Sequence, residues 1–496
     1  MNYSYELLNS HPRFYIPTGN LRIAPYEIEQ MLEVVVRHKI NEHSTLYLKG
    51  ILVETNGDKC AELSTKGESV TLSAIDATGE ETIVFQGIVK EAEIHIEQNT
   101  RHIEVQAISY TYLLDIEKKS RSFQNKKNTY ASLFSQVTGA YSMADVIDAA
   151  SNGAQTGKFI MQHQETDWEF MKRLASHFNT GLIPDARFDS PKYFIGVPET
   201  RSAVLDNASY TVKKDITRFR QLSENGVKGL SDQDFICYEV ETNHMARVGD
   251  EIAFQNKHLH VYEIESVARQ GFFINRLLMM PINGFRQMHI SNTGVVGASY
   301  GGYILESKND MVKVRLDTDK GHNPGEPCFF PYSTIYSSKD GSGWYCMPET
   351  GDTVRIYFPD GEDDHAYAFS SVHESVNTSK SGSGGGMRAT GAAGSYSGQR
   401  DDPKVKSLTY GDKEVRLTPD GVYIIMDSSM ITMTPKGITL MSENDIAFKS
   451  DKSIYMSAEE DINIIGSESV EIMCGETTGV MIEDNVQVIG QEVKAN

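Results

Sequence analysis

The sequence predicts a mainly β chain with a few helices, a small OB-type barrel, and a C-terminal triple-stranded β-helix wound from three copies. Three observations carry this expectation. From Ile438 onward, apolar residues recur in pairs every eight residues. Residues 291–375 alternate apolar and charged side chains between turn signals. The first 290 residues combine strand-like runs with short amphipathic helical stretches.

Within residues 1–290, Met31–Val36, Thr71–Ala74, Ile83–Val89 and Ile103–Ile108 read as strands, and Asn56-Gly57-Asp58 and Thr78-Gly79-Glu80 as hairpin turns. A helical stretch follows at Tyr130, Leu133, Phe134 and Val137, which share one face. A second helix starts at Thr166, where Thr166-x-x-Glu169 is a capping box. Its face of Phe170, Met171, Leu174, Ala175 and Phe178 reads as core packing, not as a cofactor pocket.

Residues 291–375 carry two alternating strands, Val312/Val314/Leu316 and Val354/Ile356/Phe358. Asp319-Lys320-Gly321, Asp340-Gly341 and Asp360-Gly361 punctuate them, and short strands at this spacing suggest a five-stranded OB-type barrel. The segment has no basic, aromatic-studded groove, which argues against oligonucleotide binding. Residues 376–410 read as a linker, with Ser/Gly-rich runs between Asn377 and Asp402.

Residues 411–496 form the predicted needle. The first octad position reads Ile438, Ile446, Ile454, Ile462, Val470, Thr478, Val486, and the third reads Leu440, Phe448, Met456, Ile464, Ile472, Val480, Val488. Val415/Leu417, Val422/Ile424 and Ile431/Met433 resemble the same pair at spacings of seven and nine. Apolar residues at i and i+2 specify a short strand with one buried face, and the polar remainder turns a corner. Two inward side chains per strand are too few for an isolated sheet, and one narrow coil leaves strand edges unpaired. Winding three identical chains about one axis solves both problems. At about 4.8 Å per strand, some ten strands give a stiff rod on the order of 50 Å. A single-chain β-solenoid is the other reading of this period.

Composition narrows the function classes. The 47 Lys+Arg against 68 Asp+Glu give a net charge of −21, which repels phosphate backbones and anionic lipid. No stretch approaches the roughly 20 apolar residues of a membrane span, and the N-terminus lacks the order of a secretory signal. Cys60, Cys237, Cys328, Cys346 and Cys474 are scattered without a C-x-x-C pair and read as buried thiols of a reducing compartment.

No residue set is assigned to catalysis, cofactor binding or metal binding. Asp317-Thr318-Asp319-Lys320-Gly321 has the opening spacing of a calcium loop but no closing Glu, so a polar turn is the better reading. His163 and His177 read as satisfied structural groups, and no histidine follows His373. The linker holds no carboxylate pair spaced for glycoside hydrolysis.

Several segments match one family. Gly343-Trp344-Tyr345-Cys346-Met347-Pro348-Glu349-Thr350-Gly351-Asp352-Thr353-Val354 resembles the G-W/F-x-x-x-P-E-x-G-D-x-V signature of the VgrG family and related phage spike proteins. Met311-Val312-Lys313-Val314-Arg315-Leu316 and Asp360-Gly361-Glu362-Asp363-Asp364 resemble flanking segments of the same domain. In the N-terminal half, Phe85-Gln86-Gly87-Ile88-Val89, Leu113-Leu114 with Ser120-Arg121-Ser122-Phe123-Gln124, and Gln162 through Phe170 are similar to the family's hub segments. Pro348 and Gly351 are given a turn-forming role and no chemistry.

This resemblance implies a structural, non-enzymatic spike protein of a contractile injection system. The N-terminal half would form two related β-barrels, and three chains would close a pseudo-sixfold hub joining a sixfold inner tube to a threefold needle. Implied partners are two further copies, an Hcp-like tube protein, baseplate proteins, a PAAR-repeat tip protein covering the blunt needle end, and effectors. The target membrane would be touched transiently, and no nucleic acid or cofactor is expected. Synthesis in the cytoplasm without a signal peptide, assembly into a tail-like particle and ejection into a target cell or the medium complete the expectation. Two rival readings are a tip-delivered cell-wall hydrolase and a receptor-binding tail fibre.

Overall fold

The computed structural model describes residues 16–53, 69–75, 79–98, 100–199, 202–205, 208–269, 271–333, 335, 347–369, 406–410, 413–474, 478–482 and 486–489. The chain divides into two compact units, residues 1–375 and 376–496.

The first unit begins with seven strands: β1 (Ile16–Pro17), β2 (Leu21–Ala24), β3 (Ile28–Lys39), β4 (Glu42–Leu52), β5 (Ser69–Ile75), β6 (Glu81–Glu97) and β7 (Thr100–Ser109). Their inward positions, among them Val34, Leu48, Leu72, Phe85 and Val105, form one apolar core. All four predicted strands lie within this set. Gly87 sits where β6 presses on β7. A Cβ there would lie 2.4 Å from the Ile108 carbonyl oxygen and 2.6 Å from the Phe85 ring, which explains the glycine between Phe85 and Val89.

Next comes a mixed segment with β8 (Lys119–Phe123), α1 (Tyr130–Thr138), β9 (Asp145–Asp148), β10 (Ile160–Glu165), α2 (Asp167–Ser176), β11 (Leu182–Pro184) and β12 (Lys192–Ile195). Both predicted helices are present. The capping box of α2 is complete: Glu169 N–H donates to Thr166 Oγ1 at 3.1 Å, and Thr166 N–H to Glu169 Oε2 at 2.9 Å. Phe134, Ile160, Trp168, Phe170 and Leu174 share a second core.

The chain then returns to the large sheet with β13 (Ser202–Val204), β14 (Tyr210–Lys214), β15 (Ile236–Thr242), β16 (Glu251–Phe254), β17 (Lys257–Arg269) and β18 (Phe272–Met280), with α3 (Ile216–Glu224) inserted after β14. The main path of this 13-stranded sheet is β14-β15-β18-β17-β3-β4-β7-β6-β5-β2. Pairing of Glu263–Val267 with Val35–Lys39 joins the early strands to the late ones. A third core, including Val240, Phe254, Val261, Leu277 and Met279, covers the late strands. Two apolar lobes therefore hang on one continuous sheet.

Strands β19 (Ser299–Lys308), β20 (Met311–Leu316), β21 (Phe329–Pro331), β22 (Thr353–Tyr357) and β23 (Tyr367–Phe369) pair in the order β21-β20-β19-β22-β23. A parallel bridge between Tyr332 and Ala368 links the two ends of this sheet. Its core of Ile304, Val312, Val314, Val354, Ile356 and Phe358 also takes in Phe159 and Met161 from the mixed segment. Residues 159 and 161 thus belong to the packing of a domain that begins some 130 positions later.

In the second unit, β24 (Lys406–Tyr410), β25 (Lys413–Thr418), β26 (Gly421–Met426), β27 (Ser429–Thr434) and β28 (Gly437–Met441) form a five-stranded antiparallel meander in chain order. The pairs Val415/Leu417, Val422/Ile424 and Ile431/Met433 lie in successive strands of this meander, joined by two-residue turns. Thr418 Oγ1 accepts from Asp420 N–H at 3.2 Å and Gly421 N–H at 3.1 Å, and Thr434 Oγ1 from Lys436 N–H at 3.2 Å. Their spacings of seven and nine are therefore those of hairpins. A second meander holds β29 (Val470–Cys474), β30 (Thr478–Ile482) and β31 (Val486–Ile489).

Candidate self-assembly surface

The feature of the second unit that demands an explanation is an apolar sheet face that stands exposed among the described residues. In the first meander the register places Val415 opposite Ile424, Ile424 opposite Ile431, and Ile431 opposite Leu440. One step along, Leu417 meets Val422, Val422 meets Met433, and Met433 meets Ile438. Strand periodicity puts all of these on one side of the sheet. On the other side lie Glu414, Arg416, Tyr423 and Thr432 together with Ile425 and Met430, and that mixed side is the better covered one. An apolar sheet face in water is uncompensated, because each buried aliphatic side chain would contribute roughly 1.5–3 kcal/mol.

Between the meanders the octads stand in extended runs. Residues 445–450, 453–458 and 461–466 belong to no strand pair, and bends fall at 443–444, 451–452, 459–460 and 467–468, one per octad. Serines help to turn these corners: Asn444 N–H donates to Ser442 Oγ at 3.1 Å, and Lys452 N–H to Ser450 Oγ at 3.2 Å. Both inward positions of each block are open, Phe448 and Met456 being 71% exposed. Backbone donors and acceptors in such runs need partners as soon as water is excluded from them.

The residues weighed for chemistry in the first unit are engaged in hydrogen bonds within the fold. The Asp319 carboxylate is buried and accepts from Ser122 N–H at 2.8 Å and Ser122 Oγ–H at 2.7 Å. Burial pushes its carboxyl above the usual range, offset in part by these two bonds. It is a latch between β8 and the five-stranded sheet, not an open calcium loop. His163 pairs with the Tyr300 hydroxyl, and His177 Nδ1 lies 2.8 Å from the Tyr130 hydroxyl. Gly351 adopts φ +96°, and Ser307 donates to the Pro348 carbonyl at 2.6 Å, so this pair builds a turn. Gly343–Cys346, Cys60 and residues 376–405 of the expected linker lie outside the described residues, while its last five residues, 406–410, form β24 and pair with β25 instead of linking. Cys237 and Cys328 are free and buried, and burial pushes the Cys328 thiol up to about 11. Among the described residues, no three His, Cys, Asp or Glu are grouped to hold a metal ion, and no helix is long and apolar enough to cross a membrane.

The motif residues of the N-terminal half meet in one buried network that sequence reasoning did not locate. Asp167 accepts from Arg121 Nη2 at 2.6 Å, Tyr141 Oη at 2.7 Å, Lys119 Nζ at 2.8 Å and Gln162 Nε2 at 2.9 Å. Burial alone would raise its carboxyl, but the Arg121 charge and these bonds outweigh it and hold the group below the usual range. Arg173, α2's buried guanidinium, donates to Glu165 Oε1 at 2.8 Å and to Asp363 Oδ2 at 3.0 Å, tying the helix to the five-stranded sheet. Arg121 and Asp167 at motif positions were the available signal; their pairing across 46 residues, and that of Arg173 with Asp363 across 190, were not.

A family model described as the Alg8 N-terminal domain matches residues 62–188, roughly a quarter of the chain and too short a part to assign the family. No curated protein matches the sequence. Among solved structures, the E. coli c3393 protein is 15% identical, with a TM-score of 0.51, over 70% of this chain and 98% of that one. That protein is described as a type VI secretion component structurally similar to the T4 bacteriophage tail proteins gp27 and gp5. A chain of the half-lidded Francisella PdpA–VgrG complex is 10% identical, with a TM-score of 0.50, over 85% of this chain and 87% of that one. At these identities the likeness establishes architecture alone: the chain shares the fold of the c3393 protein and of that chain of the PdpA–VgrG complex.

Proposed function

We propose that this chain is the homotrimeric hub-and-spike of a contractile injection system, a mechanical part and not an enzyme. The observation that carries the reading is the exposed octad face between residues 445 and 466: paired aliphatics at eight-residue intervals, on runs that belong to no strand pair. Two further copies supply both the missing core and the missing strands. The five-stranded sheet with its parallel Tyr332–Ala368 link supports an OB-type barrel at the base of the needle.

In this role the first unit forms a hub under an Hcp-like inner tube, among baseplate proteins. The second unit is the needle that pierces a target membrane, carrying a PAAR-repeat tip and effectors. The protein is made in the cytoplasm and leaves it as part of the ejected particle. Cryo-EM class averages and native mass of the purified protein test the core of this reading. The expected result is three copies in a ring tapering into a rod, and a folded, strictly monomeric particle overturns it. Clearing in a peptidoglycan zymogram would favour the hydrolase reading instead.

A further inference from the structure

We infer that residues 406–441 are the association and register-setting module of the needle, and that the octad runs between residues 445 and 466 are drawn into the trimer by it. The inference rests on the trimeric reading above and adds an order of assembly and a division of labour.

The first meander is complete within one chain. Its two-residue turns close short loops, which costs little chain entropy, so the apolar face exists before a partner arrives. Its occupant is the same face of two further copies, since Val415, Leu417, Ile424, Ile431, Met433 and Leu440 offer a continuous aliphatic surface, with charge on that side only at Lys406 and Lys413. The runs between 445 and 466 have no intrachain strand partners, so their order depends on chains already held side by side.

Charge separates the two parts in the same way. Residues 406–441 hold four Lys+Arg and four Asp+Glu, a balanced set. Residues 442–489 hold two Lys and eleven Asp+Glu, a net −9 per chain and −27 for three. Three copies of the acidic part repel one another when brought together, whereas three copies of the balanced part do not.

Register gives the third argument. Successive octads are nearly equivalent, so a slip of eight residues between chains keeps almost every inward position apolar. Nothing in the repeat resists that slip except Thr478 and the ends. The meander repeats every sixteen residues and not every eight, with Thr418-Pro419-Asp420-Gly421 and Thr434-Pro435-Lys436-Gly437 at alternate turns, so a slip of one octad sets its apolar pairs and turns out of step. Three such sheets packed face to face reject the one-octad slip that the chains emerging from them would otherwise tolerate.

The test uses the full chain and two substitutions in the needle, Ile424→Asp in the meander and Ile462→Asp in the octads, read by native mass and hydrogen exchange. The expected result is that I424D runs at the mass of one chain while residues 16–369 keep their protection. I462D should stay trimeric, with exchange raised only around residues 446–469. A trimeric I424D or a monomeric I462D overturns the inference. Should I424D disturb the first unit, Met433→Lys on the same face gives the same readout. A monomeric unsubstituted protein would instead sink the trimeric reading itself, a different outcome from either.

Discussion

Arg173 shows what single residues do in this molecule. Its side chain is 3% exposed and holds Glu165 through two nitrogens, Asp363 through a third contact, and the Met161 carbonyl at 2.6 Å. Burial opposes its charge, but Asp363 and Glu165 outweigh that and hold the guanidinium firmly protonated. Arg173→Met leaves two carboxylates without their cation in a dry place, which costs on the order of 3–5 kcal/mol. The expected outcome is a large drop in the urea midpoint of the first unit, with increased exchange on both sides of the seam, in 160–176 and 355–369. A midpoint within experimental error of the parent would show that Glu165 and Asp363 are satisfied without it.

At the level of elements, what could be read ahead depended on how local the determinants are. The start of α2 needs only Thr166 and Glu169, three residues apart, and the capping box stands as expected. Thr166→Ala removes that cap and should cost about 1 kcal/mol, seen as a lower unfolding midpoint and faster exchange in the first turn. An unchanged midpoint would mean that tertiary packing alone holds the helix end. The strands of the early lobe were legible because their apolar alternation is strong. By contrast, α3 carries one fully buried residue, Leu222, so its apolar face is too weak to announce a helix. The meander was read as an irregular part of the octad repeat because the i, i+2 apolar pair is common to both. The two T-P-x-G turns were the distinguishing signal. The seam between the mixed segment and the five-stranded sheet was illegible for another reason. Ser122 and Asp319 are 197 positions apart, and nothing in either neighbourhood names the other.

For the whole molecule, the two units should answer to different variables. Burial lowers His38 to about 4 and His177 to about 3, in each case the leading cause, and also lowers His43, His163, His244 and His322. An unfolded chain binds protons at these sites near pH 6.5, whereas the folded first unit does so only lower. The stability they represent is therefore present above about 6.5 and is lost as pH falls through the interval down to the folded values. For His38 and His177 the loss is on the order of a few kcal/mol each. Asp319 acts in the opposite sense, since burial raises its carboxyl and so favours the folded state on acidification. Urea midpoints of the first unit should thus fall steadily from pH 7 to 5 at constant salt, and His177→Gln should flatten the slope. The needle has no histidine, the last being His373, but it carries the acidic excess. Its order should follow ionic strength, because the screening length shrinks from about 30 Å at 0.01 M to about 8 Å at 0.15 M. Hydrogen exchange at one pH should show residues 445–466 gaining protection as salt rises while residues 16–369 change little. If octad protection is indifferent to salt, the carboxylates of neighbouring chains are not close enough to repel, and the needle is not a bundle of like-charged strands about a common axis.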